Sequence, residues 1–333
     1  MRVTNQMMSR NVVNNIQNNM SKLDKTNDKL SKGTKINTPG DDPTGAVKSM
    51  AYKTTLNEIN KFSNNAQNAK NFLNYTDVAL GQVGDIIQRV RELTVQATTE
   101  TFEQTARDSM AAEVNELIDQ IVSISSSKIG DKYIFSGFNT LEQPFVVKRG
   151  KDLLKEEGIE PSLVDVNGQK RENVNFENIV RVDYKGDDGK LLAEVDKGIV
   201  VEYNVPGNRV FTNKNNNLID TMIRLRNEIL KGNTVEDKAN STTTVNGELG
   251  NLDKALDLVL KSRSEVGAKM KRMDEVDQRL RDNKLSITDL LSKTIDTDIT
   301  ETINDLKVQE SVQRMSLSVG AKIIQPTLVD FLR

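Results

Sequence analysis

The sequence has no histidine and no cysteine. Their absence removes disulfides, thiol nucleophiles, serine-histidine-aspartate triads and most transition-metal sites in one step. Carboxylates, Lys, Tyr and Ser/Thr are all that is left for chemistry, and no cofactor or metal is expected. Tryptophan is also missing, and aromatics make up only 4% of the 333 residues, which favours thin aliphatic packing between long helices over a bulky interior. Neither charge sign prevails: 46 Lys plus Arg face 48 Asp plus Glu, so no net field draws in nucleic acid or an anionic membrane surface. No stretch approaches the roughly 18 consecutive apolar residues of a membrane span. The opening MRVTNQMMSRNVVNNIQNNM lacks the apolar core of a cleaved signal peptide.

Proline is scarce, and its placement maps the chain. Pro39, Pro43, Pro144, Pro161, Pro206 and Pro326 leave two long proline-free reaches, 44–143 and 207–325. An interior proline costs a helix roughly 3 kcal/mol, so these reaches are where long helices are permitted. The first carries a sustained 3,4 alternation: Ile59, Phe62, Ala66, Ala69, Leu73, Thr76, Leu80, Val83, Ile87, Val90, Thr94 and Ala97. That is the seam of a coiled coil or bundle, on a rod-like helix roughly 80 Å long. A second helix follows, with Met110, Val114, Leu117 and Ile121 on one face. In the second reach Leu252, Leu256, Val259, Val266, Met273 and Leu280 fall on seam positions, with Arg263, Asp277 and Lys284 interrupting them. Polar seam positions specify register at some cost in stability.

Between the helical arms the pattern turns β-like: FVV, IVRVDY, LLAEV and GIVVEYNV. The turn KGDDGK between alternating apolar runs reads as a hairpin connecting IVRVDY to LLAEV.

Both chain ends are narrow apolar stripes among Asn, Lys, Asp and Ser. At the N-terminus the stripe is Val13, Ile16, Met20, Leu23 and Leu30, with Asn27 on a seam position; at the C-terminus it is Leu306, Val312, Met315, Val319 and Ile323. Such stripes are too thin to be stable alone and need a partner, which the two ends supply to each other or neighbouring copies supply to both.

The stretch NTPGDDPTG, residues 37–45, crowds two aspartates, two prolines and two glycines. A catalytic or Ca²⁺-binding pair of carboxylates would need further oxygens or a pocket, and nothing nearby completes either. Asp42 reads instead as an N-cap and Pro43 as the first helical residue, with a tight turn at Gly40. It is a corner joining a terminal helix to a long one.

Around this corner LSKGTKINTPGDDPTGAV, residues 30–47, resembles the segment of the flagellin superfamily in which a terminal helix turns into the main bundle helix. MRVTNQMM and DKYIFSGFNTLEQPF at 131–145 resemble the hook-associated, hook-filament junction branch of that superfamily, RSEVGAKMKRMDEVDQRL at 263–280 resembles the returning bundle helix, and the ending LVDFLR resembles the family C-terminus. QRVRELTVQAT, residues 88–98, is close to flagellin itself, but Pro43 and YIFSGFNT depart from the flagellin pattern.

The resemblance implies a mainly α fold: a long antiparallel helical bundle or coiled coil formed by the two arms, with a central β-rich insertion. The expected segments are 1–42 (terminal assembly), 43–143 (bundle), 144–215 (outer insertion), 216–294 (bundle) and 295–333 (terminal assembly). It further implies a non-enzymatic subunit self-associating in a ring, exported by the flagellar type III system. Its partners would be a hook-side junction protein, flagellin and an export chaperone. Flagellin or a secreted coiled-coil scaffold is the alternative. A zinc protease in the insertion would need the missing histidines, and Asp183, Asp187, Asp188 and Asp196 read as solvated turn and edge charges. Arg89, Leu93 and Glu113 match flagellin positions bound by Toll-like receptor 5, which makes that receptor an implied partner.

Overall fold

The computed structural model describes residues 5–97, 104–150, 178–213, 216–231 and 235–324. Among them are seven helices: α1 Asn5–Lys32, α2 Pro43–Ala97, α3 Gln104–Ser125, α4 Gly207–Val210, α5 Leu218–Lys231, α6 Val235–Ile295 and α7 Ile299–Ile324. Four two-stranded antiparallel ladders accompany them: β1 Lys128–Ile129 with β2 Lys132–Tyr133, β3 Phe145–Arg149 with β4 Ile179–Tyr184, β5 Leu192–Asp196 with β6 Ile199–Glu202, and β7 Thr212–Asn213 with β8 Asn216–Asn217. The architecture is the expected one, helical arms around a small β-rich centre. The chain forms two compact units, one of residues 1–61 with 281–333, the other of residues 62–280.

In the larger unit the 3,4 alternation of α2 is the core. Ala66, Ala69, Leu73, Thr76, Leu80, Val83, Ile87, Val90, Thr94 and Ala97 are all buried. A second row, Phe72, Ala79, Ile86 and Leu93, is buried beside it at intervals of seven. A two-stranded seam needs only the first row; the second marks a helix packed on more than one side. Met110, Val114, Ile118 and Ile121 of α3, Leu218, Met222 and Leu225 of α5, and Leu252, Val259, Val266 and Met273 of α6 complete the core. Polar pairs report the register of α2 against α6: the Ser63 hydroxyl donates to Asp277 at 2.9 Å, Asp77 pairs with Arg263 at 3.0 Å and Asp253 with Arg91 at 2.9 Å. Partner numbers fall as α2 numbers rise, so the helices are antiparallel. Asp277 is buried, as a seam residue should be, but Arg263 is not in the seam: Ser262 is buried there and Arg263 sits at the rim.

The β-rich centre departs from expectation at KGDDGK. β4 pairs with β3 and β5 with β6, so the loop connects two separate ladders and makes no hairpin. It docks instead on the segment after β2. Asp187 Oδ1 accepts from the N–H of Phe138 at 2.6 Å and of Gly189 at 2.9 Å, and the Asp187 N–H donates to the Ser136 carbonyl at 3.1 Å. Gly137 meets the loop at φ 74°, where an added Cβ would strike Asp187. Beneath lies the aromatic cluster Phe135, Phe145 and Phe211 with Tyr184, ring centroids 5.1 to 5.3 Å apart. Burial pushes the Tyr184 hydroxyl up to about 12.

In the smaller unit, NTPGDDPTG is a corner built by its two aspartates. Asp41 Oδ2 accepts from the N–H of Thr38 at 2.9 Å and of Asn37 at 3.2 Å. Asp42 Oδ1 accepts from the N–H and hydroxyl of Thr44 at 3.1 and 2.8 Å, capping α2 as it starts at Pro43. Gly45 leaves room for this cap: a Cβ there would lie 2.4 Å from the Asp42 carboxylate and 2.5 Å from the Ile36 side chain, so both side chains would have to move. The break between α1 and α2 is also hydrogen-bonded to the break between α6 and α7. Thr34 and Asp296 form an antiparallel bridge, the Lys35 N–H donates to the Ile295 carbonyl at 2.7 Å, and the Thr297 N–H to the Gly33 carbonyl at 3.1 Å. Gly33 supplies the φ of 68° that ends α1.

Both corner carboxylates are held below their ordinary value of 3.8, chiefly by the N–H of Thr38 for Asp41 and of Gly45 for Asp42. A depressed folded pKa means stability that is complete above the ordinary value and lost as pH falls through the folded one. Protection of the Thr38, Thr44 and Gly45 amides, taken relative to their intrinsic exchange rates, is therefore expected to fall below about pH 4, ahead of the α2 interior. Asp42→Ala should show the same loss of protection at Thr44 and Gly45 at neutral pH.

Candidate functional site

α1 and α7 pack against each other as an antiparallel pair. On α1 Ser9, Val12, Ile16, Asn19, Leu23, Thr26 and Leu30 are half-buried or buried at a 3,4 spacing, and Lys29 is half-buried beside Leu30. On α7 they are Thr302, Leu306, Gln309, Gln313, Ser316 and Gly320, again at 3,4 spacing. The Asn19 amide donates to Ser316 Oγ across the seam at 2.9 Å. Near the chain ends a Cβ on Gly320 would come within 3.1 Å of Val12 and 3.2 Å of Ile16, so glycine is what lets the helices approach there. Asp298 caps α7, its Oδ1 accepting from the N–H of Thr300 at 2.8 Å and of Glu301 at 3.2 Å.

The two apolar stripes of the sequence fare differently in this pair. Ile16, Leu23 and Leu30 face the partner helix, whereas Val13 and Met20, the latter 64% exposed, do not. Thr26 is buried and Asn27 exposed, so the polar seam position of α1 is one residue earlier than expected. On α7 only Leu306 belongs to the seam. Val312, Met315 and Val319 are exposed, Met315 to 60% and Val319 to 53%. The side chain of Ile323 lies outside the described residues.

These exposed residues do converge. Val12, Asn15 and Ile16 of α1 with Val312, Met315, Ser316 and Val319 of α7 line a mainly apolar groove of about 240 Å³. The missed seam residues, Gln309, Gln313, Ser316 and Gly320, carried no hydrophobic signal, and apolar periodicity was the only guide to which face would pair.

The second candidate set lies in the larger unit. Arg89 Nε donates to Glu113 Oε1 at 2.7 Å and its Nη1 to Glu92 at 3.2 Å, and these carboxylates raise the guanidinium pKa. Leu93 is only 2% exposed and belongs to the second buried row of α2. Arg89 and Glu113 thus present one surface ion pair, while Leu93 packs the core and offers no side chain to a receptor in this arrangement.

The acidic residues of the insertion are turn and edge charges with partners: Asp187 and Asp188 are exposed in the loop, and Asp183 and Asp196 are half-exposed on strands. Asp183 pairs with Arg181 at 2.6 Å and Asp196 with Arg279 at 2.8 Å; Asp187 holds the docked loop, and Asp188 is bonded to Asn208.

Residues 3–140 match the family model of the bacterial flagellin N-terminal helical region. Flagellar hook-associated protein 3 of Escherichia coli K12 is 23% identical over 317 residues, 95% of each chain. A flagellin of Clostridium tyrobutyricum is 33% identical over 125 residues, 38% of this chain and 33% of its own. Among solved structures, hook-associated protein 3 of Legionella pneumophila shares the fold with a TM-score of 0.59, at 18% identity, over 73% of this chain and 98% of that one.

Separate roles for Leu93 and Arg89 are open to test by denaturant unfolding. Leu93→Ala removes a fully buried side chain from a packed row and is expected to cost about 3 kcal/mol. Arg89→Ala breaks an exposed ion pair and should leave the unfolding midpoint nearly unchanged.

Proposed function

We infer that this chain is a structural subunit of the bacterial flagellum, the one that joins hook to filament. The observation that carries this is the extent of similarity. The match to hook-associated protein 3 runs over 95% of both chains, while the flagellin matches cover less of this chain, 38% for that of Clostridium tyrobutyricum and 62% for that of Salmonella derby. The paired ends support it from the physical side. A subunit that works by assembling must keep apolar surface for its neighbours, and α7 keeps Val312, Met315 and Val319 uncovered beside the groove.

On this reading residues 1–42 and 295–333 are the assembly segments, through which copies associate in a ring and contact the hook-side junction protein and flagellin. The same α7 row is the surface an export chaperone would cover, and the route out is the flagellar type III system. Host recognition would rest on the Arg89–Glu113 pair alone. If it occurs, purified monomer binds the Toll-like receptor 5 ectodomain and Arg89→Ala weakens that binding several-fold; no binding at micromolar concentration would remove that partner.

Two measurements test the main inference. Cells lacking this chain should keep their hooks and shed flagellin into the medium, whereas loss of a flagellin would leave no such shed subunit. Met315→Glu should fold as the parent does, judged by exchange in 62–280, yet fail to attach filaments, because a charge in an exposed apolar row that assembly buries forfeits a few kcal/mol. Normal filaments on Met315→Glu cells would count against assembly through this face.

A further inference from the structure

We propose that the β5–β6 hairpin is a strap over the two helical arms, standing in for α3 where α3 ends, and that residues 62–76 of α2 and 265–280 of α6 stay packed only while it is seated. The observation behind this is a change of partner along α2. α3 begins at Gln104, soon after α2 ends at Ala97, and the Arg89–Glu113 ion pair lies about as far from one of these ends as from the other. The two helices therefore run antiparallel, and at equal rise per residue the last residue of α3, Ser125, is level with about Asp77. The second buried row of α2 continues past that level to Phe72. There Phe72 packs edge-on against Tyr203, the residue after β6, with ring centroids 5.3 Å apart.

The hairpin holds both arms. The Asn65 amide of α2 donates to the Glu194 carbonyl at 2.9 Å, while Lys269 of α6 meets Glu202 at 3.5 Å and Arg279 meets Asp196 at 2.8 Å. In the register set by Ser63 with Asp277 and Asp77 with Arg263, Asn65 and Phe72 lie across from the stretch between Lys269 and Arg279. The hairpin thus spans the pair of helices instead of following one of them. Its inward Val195 and Val201 are buried, whereas Leu192 and Val200 are exposed. Exposed ion pairs contribute little, so the two valines and the Phe72–Tyr203 contact hold the strap, and the polar contacts set its position. Its base is pinned independently by Asn204, which accepts from the Leu191 N–H and donates to the Gly189 carbonyl, both at 2.8 Å. A two-stranded ladder is marginal alone, and the helices beneath are thinly packed too: besides Phe72 and Leu73, the residues that α2 buries between 62 and 76 are Ala66, Ala69 and Thr76. The dependence is mutual.

This inference stands on the fold and is independent of the role proposed above. In the test, an Asn-Gly turn replaces residues 192–202; Leu191 and Tyr203 can flank it because the Tyr203 N–H already donates to the Leu191 carbonyl at 3.0 Å. Amide exchange across 62–76 and 265–280 should quicken by about tenfold or more, with 83–97 and 110–121 unchanged. Two point variants of the full chain keep the connection intact. Val201→Asp puts a charge on the inward face, where burying it is costly, and should reproduce the pattern; Val200→Asp, on the outward face, should not. Protection retained in 62–76 and 265–280 in both the shortened chain and Val201→Asp overturns the proposal. A loss spread evenly over residues 62–280 in both also overturns it, by making the hairpin part of one cooperative core. Equal effects of Val200→Asp and Val201→Asp would assign the loss to strand integrity and refute seating as its cause.

Discussion

Two arms separated by most of the chain have to meet in one antiparallel register, from Ser63 with Asp277 to Arg91 with Asp253. The surface ion pairs that mark this register contribute little individually. It is held by the buried rows, because a slip of one residue rotates a helix face by about 100° and carries every seam residue out of the core. The second row of α2, from Phe72 to Leu93, makes that penalty steeper by requiring two faces to fit at once. Such contacts are distant in sequence, so their loop-closure cost falls due before they reward the chain, which favours slow folding of the larger unit.

The insertion depends on the same frame. Arg226, buried in α5, donates to Asn115 of α3 at 2.8 Å and to the Ile179 carbonyl that begins β4 at 2.9 Å, and burial lowers its pKa. Arg149 of β3 pairs with Asp119 of α3 at 2.9 Å. Two-stranded ladders are marginal by themselves, and these ties to the bundle, with the aromatic cluster, supply what the ladders lack.

How much of this was legible in the sequence follows a physical division. The long helices, the 3,4 row of α2 and the Asp42–Pro43 corner were readable because their causes are local: periodicity, a cap, and a proline whose missing N–H costs nothing at a helix start. The second row of α2 was not, since the number of a helix's neighbours is not written in its own pattern. Reading Leu256 and Arg263 as seam positions, where Ala255 and Ser262 are buried, has a similar origin; close helix approach rewards small side chains that hydrophobicity underrates. KGDDGK looked like a hairpin, yet the groups that fix Asp187 are Ser136 and Phe138, some fifty residues away. The α7 face was misjudged for the opposite reason: its hydrophobic signal was real, but Val312, Met315 and Val319 lie exposed beside the seam and polar residues fill it.

The bridge between Thr34 and Asp296 has a mechanical corollary. Both strands of the terminal pair leave their long helices at the same level, and they are stitched together where they do so. Traction or twist applied to α1 and α7 therefore enters α2 and α6 as a matched couple, shared between two backbones.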